Sequence, residues 1–464
     1  HAQAVTEVAR QFAGLDPDTP VRLAKRTSNL FRPRAAPSAP GLDVSGLDSV
    51  VEVDVVARTA TVQGMATYEH VVDATLAHGL MPLVVPQLKT ITVGGAVTGL
   101  GIESSSFRNG LPHESVRAME VLTGSGEVVT AYPQGPYADL YRAFPNSYGS
   151  LGYAMSLVIE LEPVQPYVRL RHVRFSGLGP LVEAIGRVMT AHAYEGTPVD
   201  FIDGVVFGRH EAYLTLGTWA GGLDAAERPS DYTGQDIYYR SIQRLGRDVL
   251  TVRDYLWRWD TDWFWCSRAF GAQHPLLRRV WPRQWLRSDV YSTIVGVENR
   301  HGWAARVDRL RGRPARERVV QDVELALDRT ADFLDWFLAE VPIEPVWLCP
   351  VQLRTEWPRA AGVGDERTEP PWPLYPMAPS VPYVNVGFWS TVPVAPGHAD
   401  GDVNREIERV VGELGGHKSL YSDSYYGREA FLAKYGGTTY AKVKRRYDPQ
   451  GRFPELYDKA VRGR

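Results

Sequence analysis

The sequence of 464 residues predicts an α+β fold made of two mixed units and a helical C-terminal segment. Residues 1–165 contain short strand patterns that are not separated by the long helices that βαβ repeats require. Residues 166–400 contain a second set of strand patterns around a helical middle, and we expect these strands to form an antiparallel sheet. Residues 401–464 show mainly helical periodicity.

The first unit begins its regular structure at residues 50–63, where β-branched and polar residues alternate and predict a strand pair. Thr67 is a candidate N-cap for the next helix, and Gly79 is the candidate stop. Further patterns predict a short buried strand, a hairpin and a long strand at residues 81–86, 118–132 and 150–164.

The second unit and the C-terminal segment contain similar signals. Strand patterns occur in YVRLRHVRF, DFIDGVVFG, AYLTLGTWA, PVWLCPVQL and YVNVGFW. An apolar stripe from Ile407 to Leu414 predicts a helix that ends at Gly415. The segment HKSLYSDSYY (417–426) predicts a short strand after that helix.

Composition narrows the function classes. The formal net charge of -3 gives no reason to expect a nucleic-acid partner. With two cysteines, Cys266 and Cys349, a disulfide framework is not expected, and we expect Cys349 to be a buried structural thiol. No metal-ligand spacing is visible, so no metal is expected. No apolar run reaches about 18 residues and no secretory signal is visible, so we expect a cytoplasmic protein.

A dense glycine, serine and threonine segment spans residues 90–110, TITVGGAVTGLGIESSSFRNG. Such a segment offers backbone N–H groups at close range, which suits a pyrophosphate. The alternative is a turn-rich surface loop. The segment is neither a Rossmann nor a Walker motif, because both the required spacing and the Gly-Lys-Ser/Thr sequence are missing. A polar turn at 25–32, KRTSNLFR, is a second candidate phosphate contact.

These two segments, together with PNSYGSLGYAMSLVIELEP (145–163), PVWLCP and LYSDSYYGREAF, resemble the vanillyl-alcohol oxidase superfamily of FAD proteins. Within it they are most similar to the delta-24-sterol reductase (diminuto) group. The resemblance implies a two-subdomain FAD-binding domain at 1–165, a substrate cap domain at 166–400 and a C-terminal segment, 401–464, that returns to the flavin. Because residues 25–32 contain neither His nor Cys, we expect the FAD to be non-covalent.

The resemblance also implies the cofactor-binding positions, which fall in three segments. The first contains Arg26, Thr27, Ser28, Asn29, Leu30 and Phe31. The second contains Gln87, Thr90, Thr92, Val93, Gly94, Gly95, Gly99, Gly101, Ile102, Glu103, Ser104, Ser105, Ser106 and Gly110. The third contains Gly149, Ser150, Gly152 and Ala154.

Reduction of an isolated alkene requires a positioned acid as well as hydride. The candidate acids are Tyr421, Asp423 and Tyr425 in LYSDSYY, with Glu103 and His113 from the FAD segment. Each has an alternative role: Tyr421 as a core aromatic, Asp423 as a hydrogen-bond acceptor and His113 as a packing residue. Glu103 could instead pair with Lys89 or Arg108, or contact the ribityl hydroxyls of FAD.

The segment 255–285 is rich in tryptophan and arginine. It fits either a surface that meets lipid or an aromatic core with a solvated rim. We therefore predict an FAD-dependent, NADPH-driven reductase of a lipid alkene, with peripheral membrane contact and a lipid-modifying methyltransferase as candidate partners. The preferred substrate is a bacterial methylene fatty acyl phospholipid, and a sterol side chain is the other. Alternatives are an oxidase or dehydrogenase of an alcohol or sugar, and a non-catalytic flavin- or lipid-binding protein.

Overall fold

The structure is a computed structural model that describes residues 1–25, 31, 41–301, 306, 312–354 and 371–461. The candidate cofactor residues Arg26, Thr27, Ser28, Asn29 and Leu30 lie outside the described residues. Among the described residues, no helix is both long enough and apolar enough to cross a membrane.

The first unit consists of a sheet with short helices on its flanks. Its elements are α1 (Ala2–Ala13), β1 (Leu23–Ala24), β2 (Leu42–Asp43), β3 (Val50–Asp54), β4 (Thr59–Gln63), α2 (Tyr68–Leu76), β5 (Leu80–Pro82), α3 (Val93–Thr98), α4 (Ser106–Asn109), β6 (Val116–Leu122), β7 (Val128–Ala131), α5 (Ala138–Ala143) and β8 (Tyr153–Pro163).

The sheet of the first unit has the strand order β3-β4-β8-β6-β7, and β5 pairs with the far end of β8. The predicted strand pair, hairpin and long strand are therefore present. Thr67 caps α2 by accepting a hydrogen bond from the His70 N–H, 3.3 Å away. The predicted strand at 81–86 is shorter than expected, because β5 ends at Pro82 and the buried chain then turns toward α3.

The second unit is built on one large antiparallel sheet. Its elements are β9 (Tyr167–Phe175), α6 (Leu178–Ala191), β10 (Ala193–Tyr194), β11 (Thr197–Pro198), β12 (Phe201–Gly208), β13 (Glu211–Ala220), α7 (Tyr238–Ser241), β14 (Arg247–Thr251), α8 (Val252–Leu256), α9 (Pro275–Val280), α10 (Ser288–His301), β15 (Arg316–Ala326), α11 (Leu327–Glu340), β16 (Val346–Val351), β17 (Tyr383–Pro393), α12 (Asp402–Glu413) and β18 (His417–Lys418).

The large sheet has the order β14-β9-β13-β12-β16-β17-β15-β18 and two different faces. Helices α6, α11 and α12 cover one face, and a core that includes Leu214, Val323 and Phe388 fills the space beneath them. Trp347 and Trp389 point to the other face, which belongs to the core shared with the first unit. Because side chains alternate along a strand, one sheet serves both cores.

Strand register brings distant residues together on that shared face. Asp322 of β15 lies opposite Gly387 of β17, and Gly387 lies opposite Trp347 of β16. Directly opposed residues of antiparallel strands point to the same face. A Cβ at Gly387 would overlap the Asp322 carboxylate and approach the Trp389 ring to 2.6 Å, so the missing side chain leaves room for both.

The C-terminal segment returns to the first unit through α13 (Arg428–Lys434), α14 (Gly437–Tyr447) and α15 (Leu456–Ala460). The Lys444 ammonium donates to the Ser150 carbonyl at 2.7 Å, and Arg446 pairs with Asp139 at 3.0 Å. The strand predicted over 417–426 ends at Lys418. Beyond it Ser422 and Ser424 form isolated bridges with Phe31 and Val461, and the Tyr425 N–H donates to Glu408 of α12. The α+β fold class is confirmed.

Candidate active site

A cavity of about 630 Å³ lies between the first unit and the shared face of the large sheet. Both units and the C-terminal segment contribute to its wall. Of the candidate cofactor residues, those that line it are Phe31, Gln87, Thr90, Thr92, Gly94, Gly95, Gly99, Gly101, Ile102, Gly149 and Ala154. The sequence segments singled out for FAD therefore converge on one space.

The glycines of this segment permit close packing around α3. A Cβ at Gly101 would lie 2.7 Å from Pro86 and 2.8 Å from Pro112, and one at Gly99 would lie 2.9 Å from the Gly95 carbonyl oxygen. The first N–H groups of α3 are already bonded within the protein. Val93 donates to Ala66 at 2.9 Å, and Gly94 donates to Gly64 at 3.0 Å.

Gly95 donates to the Thr92 hydroxyl, 3.1 Å away. The first three N–H groups of α3 are therefore not available to a phosphate. The prediction that the N–H groups of the glycine segment bind a pyrophosphate was wrong for these three. These glycines allow close packing, since a Cβ would meet the Gly64 backbone at Gly94 and the Pro86 and Pro112 rings at Gly101.

Charged side chains gather at another part of the cavity wall. Arg22, Lys25 and Lys459 line it, together with Asp458. The Tyr153 hydroxyl donates to the Val21 carbonyl at 3.1 Å and holds this wall against β8. A cluster of cationic side chains suits a diphosphate. Lys25 belongs to the polar turn at 25–32, and Lys459 to FPELYDK (453–459), a segment that also resembles the sterol reductase group.

The opposite part of the wall is aromatic. Trp263, Phe264, Trp347, Trp389 and Tyr421 line it together with Phe31. The Phe31 and Trp263 rings stack with centroids 5.4 Å apart, and the Phe264 and Trp389 centroids are 4.3 Å apart. Such a wall is complementary to a flat ring system or to an apolar ligand.

One carboxyl group, that of Asp322, lines the cavity beside these rings. The Trp389 indole N–H donates to the Tyr421 hydroxyl oxygen at 2.8 Å, and the Tyr421 hydroxyl donates to Asp322. Asn385 donates to Asp322 at 3.1 Å. Each of these hydrogen-bond donors is neutral.

Burial raises the pKa of Asp322 to about 7, although the hydrogen bonds from Asn385 and Tyr421 oppose the rise. Burial likewise raises the pKa of the Tyr421 phenol far above its usual range. At neutral pH Asp322 is thus poised between its acid and carboxylate forms, which is the condition for a general acid. Sequence reasoning missed Asp322, although the alternation in RERVVQDVELA was a strand signal.

The remaining cofactor candidates do not line the cavity. They are Val93, Glu103, Ser104, Ser105, Ser106, Gly110, Ser150 and Gly152. Several instead stabilise its frame: the Ser105 hydroxyl donates to the Leu83 carbonyl at 2.9 Å, and Ser106 accepts from the Glu103 N–H at 3.1 Å. These residues shape the loop from behind.

Glu103 is part of a buried ion cluster away from the cavity wall. One oxygen of its carboxylate accepts from Arg258 at 3.0 Å and from Ser104 at 2.6 Å. Arg258 also donates to Asp203 at 2.9 Å. Burial raises the pKa of Glu103, and the Arg258 charge opposes that rise.

The partners that the sequence suggested for Glu103 are engaged elsewhere. Arg108 pairs with Glu162 at 2.7 Å, and Lys89 lies 3.9 Å from Glu69. The interpretation of Glu103 as a partner of Arg108 or Lys89 was wrong, because the adjacent unit supplies Arg258 instead.

His113 is buried beside the Trp372 ring, with centroids 4.5 Å apart, and does not line the cavity. Burial lowers the pKa of its imidazole to about 3, so it stays neutral. Its Nε2 atom has no hydrogen-bond partner among the described residues. The geometry gives it a packing position behind the cavity.

Tyr421 is the one residue of the LYSDSYY candidates that reaches the cavity. Asp423 turns to Arg318, 3.2 Å away, and the Tyr425 N–H donates to the Glu408 carboxylate at 3.0 Å. The Lys418 ammonium, 3.2 Å from Glu408, fixes the same stretch of chain. Because this stretch is not a strand, residues two apart do not share a face.

The aromatic segment 255–285 is mostly core, as the second interpretation held. Tyr255, Trp257, Trp259 and Trp265 are buried, whereas Trp285 is 51% exposed. Cys349 is fully buried, and Cys266 lines the cavity. Burial raises the pKa of the Cys266 thiol to about 12, so it is protonated at neutral pH.

Comparison with known proteins agrees with this geometry. A family model of FAD binding domains matches residues 3–132. The delta(24)-sterol reductase of Rattus norvegicus is 27% identical over 427 residues, which cover 89% of this chain and 76% of that protein. The chain is an FAD-dependent oxidoreductase that is similar to delta(24)-sterol reductases over most of its length.

Two further relatives of this flavoprotein show how far the similarity extends. The delta(24)-sterol reductase of Arabidopsis thaliana is 26% identical over 448 residues, or 91% of this chain and 77% of that protein. Cytokinin dehydrogenase 10 of Oryza sativa subsp. japonica is 29% identical over 172 residues, only 37% of this chain and 30% of that protein. The resemblance inferred from the motifs is confirmed.

The residues of the cavity fit FAD. The buried Gln87 amide lines the wall, and its Nε2 atom has no hydrogen-bond partner among the described residues. The group formed by Arg22, Lys25 and Lys459 suits the diphosphate. FAD would be held by the glycine wall, Gln87 and these cations.

Proposed function

We propose that this flavoprotein reduces a carbon–carbon double bond in a lipid-like substrate, with electrons from NADPH. The single observation that supports this most is Asp322, a titratable carboxyl in the cavity wall among aromatic side chains. Bound FAD in its reduced form supplies the hydride. Similarity to delta(24)-sterol reductases over most of the chain supports the same reaction class.

Asp322 would supply the proton that the reaction needs. An isolated alkene accepts hydride poorly unless a proton reaches its other carbon, and the two transfers together replace the π bond by two C–H bonds. Tyr421 and Asn385 hold the carboxyl in place, and the tryptophans keep bulk water from it. The proton should go to the alkene carbon whose protonation leaves the positive charge on the more substituted carbon.

A methylene fatty acyl phospholipid is the preferred substrate, and its product is a methyl-branched chain. Protonation of its terminal methylene carbon places the positive charge on a tertiary chain carbon, which then accepts the hydride. A sterol side-chain alkene is the second candidate, supported by the relatives named as delta(24)-sterol reductases. A lipid-modifying methyltransferase is the proposed partner, because a methylene branch requires prior transfer of one carbon to the chain.

An alcohol or sugar oxidase would instead need a polar pocket, which the wall of Trp263, Trp347 and Trp389 does not provide. Anaerobic mixing of the NADPH-reduced protein with each substrate class discriminates the functions. We expect a methylene acyl lipid or a sterol alkene to reoxidise the flavin. Reduction of the oxidised flavin by an alcohol, with no response to either alkene, would overturn the proposal.

Lipid mass spectrometry of cells with and without the protein then names the substrate. We expect the unsaturated lipid to accumulate when the protein is missing.

We also propose that FAD is bound non-covalently, so acid precipitation should release all of it into the supernatant. Flavin that remains in the pellet would contradict this mode of binding.

A further inference from the structure

We infer that residues 275–285 form a docking surface for bilayers that contain anionic phospholipid. This segment comprises α9 and the turn that follows it. Exposed large hydrophobic side chains concentrate there: Leu276 is 71% exposed, Val280 77% and Trp285 51%, with Leu277 beside them. Exposed apolar side chains in one short segment indicate a contact surface rather than ordinary surface scatter.

The exposure follows from the way α9 is anchored. Arg278 points inward, where it pairs with Asp262 at 2.7 Å and donates to the Gly234 carbonyl at 2.7 Å. Residues 276 and 280 are one turn apart, and residue 278 lies on the opposite side of the helix. Because Arg278 is anchored in the interior, Leu276 and Val280 on the opposite side of α9 are exposed to solvent.

The end of the segment is fixed as firmly. Leu286 is buried, and Arg287 pairs with Glu69 of the first unit at 2.8 Å. Trp285 is thus presented on a supported turn. A tryptophan with a polar N–H and a large apolar ring is suited to the boundary between lipid head groups and acyl chains.

Arginines beside the exposed apolar side chains favour a bilayer with anionic lipids. A groove of about 680 Å³ borders α9 through Pro275 and Arg278. Its charged lining residues are Arg240, Arg244, Arg268, Arg278, Asp236 and Glu344. Arg244 pairs with Asp236 at 3.2 Å, and Arg278 pairs with the buried Asp262.

Arg240 donates to the neutral Gln273 amide oxygen at 2.8 Å. Within the described residues, Arg268 and the exposed Arg279 form no ion pair. Outside the two ion pairs, the charged residues that line the groove are Arg240, Arg268 and Glu344, so the groove is positive although the whole chain has a net charge of -3. A positive border matches the phosphates of anionic lipids.

The same segment of chain connects this surface to the cavity. Trp263, Phe264 and Cys266 line the cavity wall, and Leu277 packs over Gly271, where a Cβ would lie 3.2 Å from it. A bilayer bound at 275–285 therefore lies against the part of the second unit that bounds the substrate cavity. The inference itself depends on exposure and charge, not on alkene reduction.

The test is co-sedimentation of the FAD-loaded protein with dimyristoyl phosphatidylcholine vesicles, with and without dimyristoyl phosphatidylglycerol. These lipids contain no alkene, so binding is measured without turnover. We expect binding to the anionic vesicles that weakens as salt is added. The paired change Leu276→Asp and Val280→Asp should weaken it at least about tenfold.

Val56→Asp is the matched control, because Val56 is 96% exposed on the β3–β4 turn, outside the proposed surface. It should bind vesicles like the unchanged protein. A second pair, Arg268→Glu with Arg279→Glu, should lose the preference for anionic vesicles. Flavin content and thermal melting of each variant establish that it is folded.

Three results would overturn the inference. The first is an unchanged protein that does not bind anionic vesicles. The second is binding that the aspartate pair leaves intact, or a preference for anionic lipid that the glutamate pair leaves intact. The third is a dimer by light scattering that the aspartate pair dissociates, because a second copy would then cover the surface.

Discussion

Two carboxylates whose pKa burial raises, Glu103 and Asp322, differ in their partners. Glu103 lies against the Arg258 guanidinium, which also neutralises Asp203. Asp322 has the neutral donors Asn385 and Tyr421 and lines the cavity. Because Glu103 has a counter-charge that opposes the rise in its pKa, and Asp322 has neutral donors beside the cavity, Asp322 is the better placed of the two to exchange a proton with a bound ligand.

The two carboxylates are expected to respond differently to mutation: a change at the Glu103 cluster should affect stability, and a change at Asp322 should affect the reaction rate. Removal of one partner from a buried ion cluster leaves an uncompensated charge and costs stability. Removal of a proton donor at a cavity wall costs rate instead. The sequence made Glu103 one of five candidate acids, because it lies inside the FAD segment, and did not single out Asp322.

The largest effect is expected from Asp322→Asn. Alkene reduction should fall about 10²–10⁴-fold because the positioned acid is lost. Flavin content and the rate of flavin reduction by NADPH should stay unchanged, as measured by absorbance and anaerobic stopped flow. Asp423→Asn is the matched control and should retain full activity, since Asp423 faces Arg318. A fully active Asp322→Asn protein would remove Asp322 from the reaction.

Arg258→Met should produce the largest loss of stability. It leaves Glu103 and Asp203 buried without their counter-charge, which typically costs about 3–5 kcal/mol in the free energy of unfolding. Urea denaturation followed by tryptophan fluorescence measures the change. Asp322→Asn in the same assay should change the free energy of unfolding by less than about 1 kcal/mol. Equal stabilities of the Arg258→Met and unchanged proteins would refute the contrast.

The pH dependence sharpens the comparison further. Because burial raises the pKa of Asp322 to about 7, its acid form is present below that pH and is lost as pH rises through it. The kcat/KM for alkene reduction should therefore fall about tenfold per pH unit above this pKa. The residual activity of Asp322→Asn should lack this limb. A flat profile in the unchanged protein between pH 6 and pH 9 would speak against an acid with this pKa.

The smallest effect is expected from Tyr421→Phe. The lost hydroxyl no longer donates to Asp322, and the Trp389 N–H loses its acceptor, which together should reduce kcat about tenfold. Since the Tyr421 hydrogen bond lowers the pKa of Asp322, the basic limb should move to higher pH. A limb displaced to lower pH would show that Tyr421 does not act on Asp322.

Local signals in the sequence were sufficient for the FAD segment and for most strands. Gly99 and Gly101 leave no room for a side chain, because a Cβ there would meet Gly95 and Tyr148, or Pro86 and Pro112. The strand predicted over 417–426 failed because the chain after Lys418 is fixed by Glu408 of α12, a contact that no local pattern encodes.

Asp322 could not be found in this way for a related reason. Its strand alternates Val319, Gln321 and Val323 on the core face, and the polar Gln321 weakens the apolar periodicity. Its place in the cavity wall depends on the strand register that sets it opposite Gly387, which is 65 residues away along the chain. The partner of Glu103 is likewise 155 residues distant.

The most direct test is a crystal structure of the FAD-loaded protein with a bound methylene acyl lipid. The decisive quantity is the distance from the Asp322 carboxyl oxygens to the alkene carbons. We predict that FAD occupies the cavity and that this distance is within about 4 Å, the reach of proton transfer. A flavin bound elsewhere, or a lipid that leaves Asp322 facing only solvent, would contradict the account.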